Sequence, residues 1–268
     1  MTNPVAMDSP SKDPRFVTAL ARGLDILRCF TPDRQELGTT EISKLTGLPQ
    51  ATVWRLCYTL QQQGCLMPGR SADKLRTAPG VLLLGHAAIT FGGLGDFALP
   101  LMRPVADAFE ASVSLTARDR HVMVIVQRSE AVGIVNVNLH IGSTLSLSSS
   151  SVGGAWLAAV SVQEREAALQ AFAAEHPDEW LQAREHVEQA LSDYRKHGFV
   201  FNLGRSHPDI NAIGVPVVSP DGRTVMALTC GGLRTRMSKD KLTKQVAPEL
   251  KRLAQQIAPA LGGEGARR

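Results

Sequence analysis

The sequence is poor in the features that mark a secreted protein, a metalloprotein or a nucleotide-binding enzyme. Four cysteines, at positions 29, 57, 65 and 230, are spread over 268 residues without a C-x-x-C pair. With no secretory segment ahead of them, a disulfide framework is not expected and the cytoplasm is. Three of them sit on apolar faces or strands, as small hydrophobes do. Seven histidines show no H-x-x-x-H or H-E-x-x-H spacing, and no G-x-G-x-x-G, Walker or G-x-S-x-G motif occurs. No metal and no cofactor are therefore expected. The longest apolar stretch, Val81–Phe91, is broken by Gly85 and His86. It falls short of the ~20 residues that span a bilayer, so no membrane partner is expected. Charge of one sign is also scarce: the net charge is +4, with 10 Lys and Arg against 7 Asp and Glu in residues 1–78 and 19 against 18 in the rest. The small N-terminal part carries most of the surplus.

What is present centres on Thr39–Leu66, TTEISKLTGLPQATVWRLCYTLQQQGCL. Ile42 and Leu45 share one face of a short helix that Thr39 or Thr40 would cap. Gly47 permits a left-handed turn, and Pro49 suits the first turn of a second helix. Val53, Leu56, Cys57 and Leu60 then recur at helical spacing and predict one buried stripe. The opposite face carries Gln50, Thr52, Trp54, Arg55, Tyr58, Thr59 and Gln62, and Ala51 is a further candidate for DNA contact. A recognition helix over Pro49–Gln62, placed in a DNA major groove, and an ordinary core helix pair with a solvated face fit these residues equally. The next stretch favours DNA. Gly64–Met67 and Lys74–Thr77 flank the turn Pro68-Gly69-Arg70-Ser71, which predicts a wing with Arg70, Lys74 and Arg76 near phosphates. Upstream, residues 1–14 read as a disordered lead-in. Phe16–Phe30 reads as a helix with Leu20, Leu24, Leu27 and Phe30 inward.

Together, FVTALARGLDILRCF, the TEI…TGLP segment and the following wing resemble the start of IclR-type transcriptional regulators, nearest the branch controlling aromatic-compound catabolism. Arg is frequent in that family where this chain has Gln50, and His or Ala where it has Trp54. The resemblance implies a ligand-responsive DNA-binding regulator. Its parts would be a winged helix-turn-helix domain over residues 15–78, with Thr40 among its DNA contacts, a linker helix over 79–95, and a GAF-like effector domain over 96–262. It also implies a homodimer, often a dimer of dimers, on double-stranded operator DNA.

The remainder predicts an α+β fold. Thr77–Gly92 is a helix apolar nearly all round, which must be buried against a second subunit or inside a core. Phe97–Ala111 reads as helix despite Pro100 and Pro104. Strands follow at Val113–Arg118, Val122–Gln127, Ile134–Asn138 and around Leu145 and Leu147. Helices follow at Val152–Val160, Gln163–Ala174 and Trp180–His197. Strands return at Phe199–Asn202, Ala212–Val218 and Thr224–Cys230, the last two around a Pro220–Arg223 turn, and Pro248 kinks a final helix from Lys239. The expected fold is an antiparallel sheet with helices on its faces.

Two polar stretches are candidates for a small organic, aromatic acid. Ser148–Ala155, including Ser149 and Gly153, precedes a helix whose first N–H groups suit an anion; it also reads as a serine-rich cap. In Asn202–Asn211, Asn202, Arg205, His207 and Asn211 can donate to a carboxylate, or simply meet solvent. The family has acidic residues near 202–205, where this chain has Asn, Leu, Gly and Arg. The resemblance places Ser151, Val152, Ala212, Thr229 and Gly231 at pocket positions; Asn136 and Asn138 share a strand face that can line the same cavity. The rival readings are a small hydrolase using Ser151, His207 and Asp209, and an interaction module that binds no DNA.

Overall fold

In the computed structural model, residues 14–89, 94–133 and 139–262 are described. The chain divides into two compact units, Met1–Ala88 and Ile89–Arg268.

In the first unit, helix α1 spans Thr18–Arg28, β1 Leu37–Gly38, α2 Thr39–Thr46, α3 Gln50–Gln62, β2 Leu66–Pro68, β3 Lys74–Thr77 and α4 Gly80–Ile89. Gly47 takes φ +68° between α2 and α3, the left-handed conformation its missing side chain permits. Pro49 stands just ahead of α3, where its carbonyl receives the N–H groups of Thr52 and Val53. Val53 and Cys57 are buried against Ile26, Ile42, Leu48 and Leu66. Two expectations need correction. The buried side of α1 carries Gly23 and Ile26, with Cys29 just beyond it; Leu20 and Leu24 are exposed, because their stripe is offset from the contact with α3. The cap of α2 is Gly38, not Thr39 or Thr40, and its N–H donates to Glu41 Oε2 at 2.7 Å. A short third strand also joins the wing, giving the antiparallel order β1-β3-β2. At the start of α4, a Cβ on Gly80 would stand 2.3 Å from the Gly64 carbonyl, so only glycine lets this helix begin there.

The second unit holds α5 (Leu94–Phe109), β4 (Ser112–Asp119), β5 (Val122–Glu130), β6 (Thr144–Ser146), α6 (Ser151–Ala159), α7 (Val162–Glu175), α8 (Trp180–His197), β7 (Val200–Leu203), β8 (Ile210–Val218), β9 (Val225–Leu233), a turn of α9 (Lys239–Lys241) and α10 (Ala247–Ile257). Its six strands form one antiparallel sheet in the order β6-β5-β4-β9-β8-β7. Alternation along the strands sorts the faces. Val113, Leu115, Ile213, Val215 and Leu228 pack with α5 and α10 on one side. Val200 and Ala227 pack with Val152, Trp156 and Leu157 of α6 and Val187 of α8 on the other. Pro248 produces no simple kink: it follows a π-turn over Leu242–Val246, in which Ala247 N–H reaches Leu242 O, and sits in the first turn of α10 where its missing N–H costs little. The strand expected at Ile134–Asn138 lies outside the described residues.

Candidate functional sites

The first unit presents the DNA-facing candidates. Gln50 Nε2 donates to Thr40 Oγ1 at 3.0 Å, which ties the first turns of α2 and α3 together. Ala51, Trp54, Arg55 and Tyr58 are exposed and Thr52 half-buried. The Trp54 and Tyr58 rings stack, 5.9 Å apart and 12° from parallel. With Thr52 and Arg55 they line an apolar trough shared with Leu20 and Leu24 of α1 and Leu84 of α4. Sequence reasoning missed this trough because it treated Leu20 and Leu24 as core. On the wing, Arg70 is at the exposed tip, its backbone N–H bonded to the Glu36 carboxylate. Arg76 Nε donates to Pro68 O across the hairpin. Lys74 stands differently from expectation: its Nζ lies 2.5 Å from Glu41 Oε2 and joins the wing to α2.

That bond raises the Lys74 pKa and lowers that of Glu41, through the shared hydrogen bond first and, for Glu41, the Gly38 N–H second. A carboxylate held below its unfolded value stabilises the fold above that value, and the contribution fades as pH falls through the folded one. Glu41→Gln is thus expected to lower the melting temperature at pH 7, and the gap to the parent to narrow below about pH 4.5. Melts at pH 7 and 3.5 check this; a gap that widened in acid would contradict it.

The second unit holds a cavity of about 550 Å³ at one end of the sheet. Its floor is the sheet face opposite α5 and α10. Arg128, Ser114, Thr229 and Gly214 oppose one another across β5, β4, β9 and β8; Glu130, Ser112, Gly231, Ala212 and Asn202 form the next row. Small side chains in these rows leave the space. The turn Ser149–Ser151 and the loop after β7 close it from above, and Leu145, Ile210 and Leu233 add apolar walls.

Asn202 knits this roof. Its Nδ2 donates to Ser149 O at 3.2 Å and Ser206 Oγ at 2.6 Å, while its Oδ1 accepts from the N–H groups of Arg205 and Ser206. Ser151 Oγ lies 3.3 Å from Thr229 Oγ1, which donates to Ile213 O. Arg128, which sequence reasoning missed, is 92% buried on its side chain; its Nη1 donates to Ser114 Oγ at 2.8 Å and its Nε to Glu130. Arg236 pairs with Glu110 at the rim, where Glu110 holds a left-handed φ of 50°. Arg205 and His207 are exposed cavity residues. Burial first and the Arg205 charge second lower the pKa of His186 on α8.

Of the expected effector residues, Ser149, Ser151, Asn202, Arg205, His207, Ala212, Thr229 and Gly231 come together around this cavity. Three do not line it. Val152, on α6, is wholly buried in the cluster with Val200 and Ala227. Gly153 seats α6 on the preceding turn, for a Cβ there would stand 2.1 Å from Leu147 O, and its N–H is capped by Ser150 Oγ. Asn211 Nδ2 donates to Met237 O, away from the space. Val152, Gly153 and Gly154 thus serve to pack α6, while Ser149, Ser150 and Ser151 line the cavity. Nor do the drawn hydrolase residues interlock: Ser151 Oγ meets Thr229, and His207 Nδ1 accepts from the Asp209 backbone N–H.

Among the described residues, no helix is long and apolar enough to cross a membrane, and no group of three or more His, Cys, Asp or Glu is placed to hold a metal.

Comparison with known proteins joins these two sites. Residues 19–67 match the family described as IclR helix-turn-helix domain, and residues 86–259 the one described as Bacterial transcriptional regulator IclR C-terminal. The chain is 30% identical over 244 residues to the HTH-type transcriptional regulator TsaQ1/TsaQ2 of Comamonas testosteroni, covering 90% of this chain and 87% of that one. A crystal structure of an IclR family transcriptional regulator from Brucella abortus is 36% identical, with a TM-score of 0.86 over 95% of this chain and 96% of that one. An IclR homolog from Microbacterium hydrocarbonoxydans, solved complexed with 4-hydroxybenzoate, shares the fold at 20% identity, with a TM-score of 0.69 over 91% of this chain and 99% of that one.

Proposed function

The chain belongs to the IclR family of bacterial transcriptional regulators, and from that premise we propose that it switches a catabolic operon in response to a small aromatic acid held in the cavity of its second unit. It is a DNA-binding regulator with a helix-turn-helix domain and an α+β domain built on an antiparallel sheet. The observation that carries the effector reading is the cavity itself: about 550 Å³, floored by serine, threonine and glycine and lined by three arginines, Arg128, Arg205 and Arg236. A relative of the same fold is complexed with 4-hydroxybenzoate, which supports an aromatic acid as the class. The role of Ser149, Ser151, Asn202, Thr229 and Gly231 is to shape the space, and that of Arg205 and His207 to meet the acid.

For DNA, Gln50, Ala51, Thr52 and Arg55 reach base edges from the first turns of α3, with Thr40, Trp54 and Tyr58 beside them, and Arg70 and Arg76 meet phosphates from the wing. Lys74 supports the wing through Glu41. Two copies pair through the exposed leucines of α4, Leu82, Leu83 and Leu84, a patch too apolar to favour water. Their recognition helices then read half-sites about 34 Å apart or a multiple of it. The protein works in the cytoplasm, on its own genome. The effector shifts DNA affinity by its differential affinity for two arrangements of the dimer, about 1–3 kcal/mol in such systems.

Fluorescence anisotropy with duplexes from beside the chain's own gene tests this. Binding at low salt that weakens steeply with added salt, and a shift of five-fold or more with an aromatic acid, are expected. Indifference to every such duplex, with and without acids, would refute it.

A further inference from the structure

We propose that the cavity reads a hydrogen-bond donor on the ligand's ring, a hydroxyl or amino group, and that Thr229 and Ser151 accept from it. This rests on the effector reading above and goes beyond it by setting which polar group the ring carries besides its acid. A hydroxyl has one hydrogen and two lone pairs, so what it offers a ligand depends on where that hydrogen is already placed. Thr229 Oγ1 donates to Ile213 O at 2.9 Å. Its single hydrogen being committed there, Ser151 Oγ is the donor in the 3.3 Å bond between the two hydroxyls. Ser112 Oγ, one row along the floor, donates to Gly231 O at 3.3 Å. All three residues line the cavity, and all three have given their hydrogens to the protein, so toward a ligand they present lone pairs. The neighbouring hydroxyl differs. Ser114 accepts from Arg128 Nη1 at 2.8 Å, and that bond leaves its own hydrogen to give, so the accepting patch ends there. The Ser151–Thr229 pair is also fixed in place. Gly214 stands opposite Thr229 in the sheet, and the first turn of α6 rests on it so closely that a Cβ there would lie 2.3 Å from Ser151 O. An acceptor on the ligand at this point would set lone pair against lone pair. A bare C–H would leave the oxygens without the hydrogens that water gives them, at the cost of unmet buried polar groups. A donor satisfies them, and the ligand's carboxylate is kept away from Thr229 for the same reason.

Isothermal titration of the full chain with benzoate and its hydroxy, amino and fluoro derivatives, each at the 3- and 4-positions, separates the donor from ring size. At one of the two positions the hydroxy and amino acids are expected to bind about ten-fold or more tightly than the fluoro acid. The fluoro acids should stay within about three-fold of benzoate. Thr229→Val removes the accepting oxygen and releases the Ser151 hydrogen, so the donor preference should fall below about three-fold while benzoate still binds. Thr229→Ser keeps the oxygen and should keep the preference. Unchanged circular dichroism and DNA binding confirm that both variants are folded. Equal binding of donor-bearing and fluoro acids at both positions, tighter binding of the fluoro acids, or a donor preference that survives Thr229→Val would overturn the inference and leave the aromatic-acid reading in place. Failure of every acid to bind would overturn both.

Discussion

Replacing Gly214 by valine is expected to destabilise the second unit by about 3 kcal/mol, the upper end of the usual cost of overpacking a core. A Cβ at this position would stand 2.3 Å from Ser151 O, 2.5 Å from Ser151 C and 2.9 Å from Val152 N. All three are backbone atoms, so no side chain can rotate aside; the first turn of α6 must lift off β8. Behind that turn lie Val152, Trp156 and Leu157, whose burial holds the α6 face of the sheet together. For a unit of this size the loss corresponds to a melting temperature lower by roughly 6–12 °C. Ser151 would also leave Thr229, so acid binding should weaken in the molecules that remain folded. Denaturant unfolding followed by circular dichroism reads the first effect. A change below 1 kcal/mol would show that α6 does not rest on β8 as described.

Gly214 also shows where the sequence is mute. Its neighbours predict a strand, and the strand is there, but nothing in the string Ile-Gly-Val tells that a helix sixty residues earlier lies against it. Elements whose signal is local were legible. Trp180–His197 has its expected bounds because Gly198, at φ +70°, stops it and because its burial is periodic. The second helix of the helix-turn-helix was legible for the same reason, through Gly47, Pro49 and the Val53–Leu60 stripe. Elements whose existence depends on a distant partner were not. Leu37–Gly38 is a strand only because Leu75 and Lys74 stand opposite it. Leu20 and Leu24 have helical spacing and face outward, since spacing reveals a stripe and not what covers it.

The cavity divides along the same line. Its roof was visible because polar loops between apolar strands are conspicuous in composition. Of its floor, Ala212, Thr229 and Gly231 came from the resemblance; the rest was hidden, because Ser112, Ser114 and Arg128 become neighbours only through the register of β4 with β5, and a register is a relation between strands. Val152 was carried into the pocket by the resemblance and Gly153 by the reading of a small-residue stretch at a helix start; the structure uses both to pack α6.

The largest effect on DNA binding is expected from Arg55→Ala. Arg55 is exposed on α3, one turn beyond Gln50, and its guanidinium can engage a guanine edge bidentately. Loss of such a contact costs about 1–3 kcal/mol, roughly five- to 150-fold in operator affinity, and relaxes discrimination at one base pair. Arg70→Ala offers the contrast. It stands at the wing tip with its side chain 91% exposed, and its expected role is to meet phosphate without reading sequence. Its loss should weaken operator and unrelated duplexes alike and reduce the salt slope by about one. Lys74→Ala should behave as neither: with Nζ on Glu41 Oε2, its removal is felt in the melting temperature of the first unit more than in the salt slope. Anisotropy titrations of the three variants, on operator and scrambled duplexes at several salt concentrations, separate these patterns. If Arg55→Ala lost affinity for both duplexes equally, α3 would be a phosphate-tracking helix, and base reading would have to come from elsewhere in the first unit.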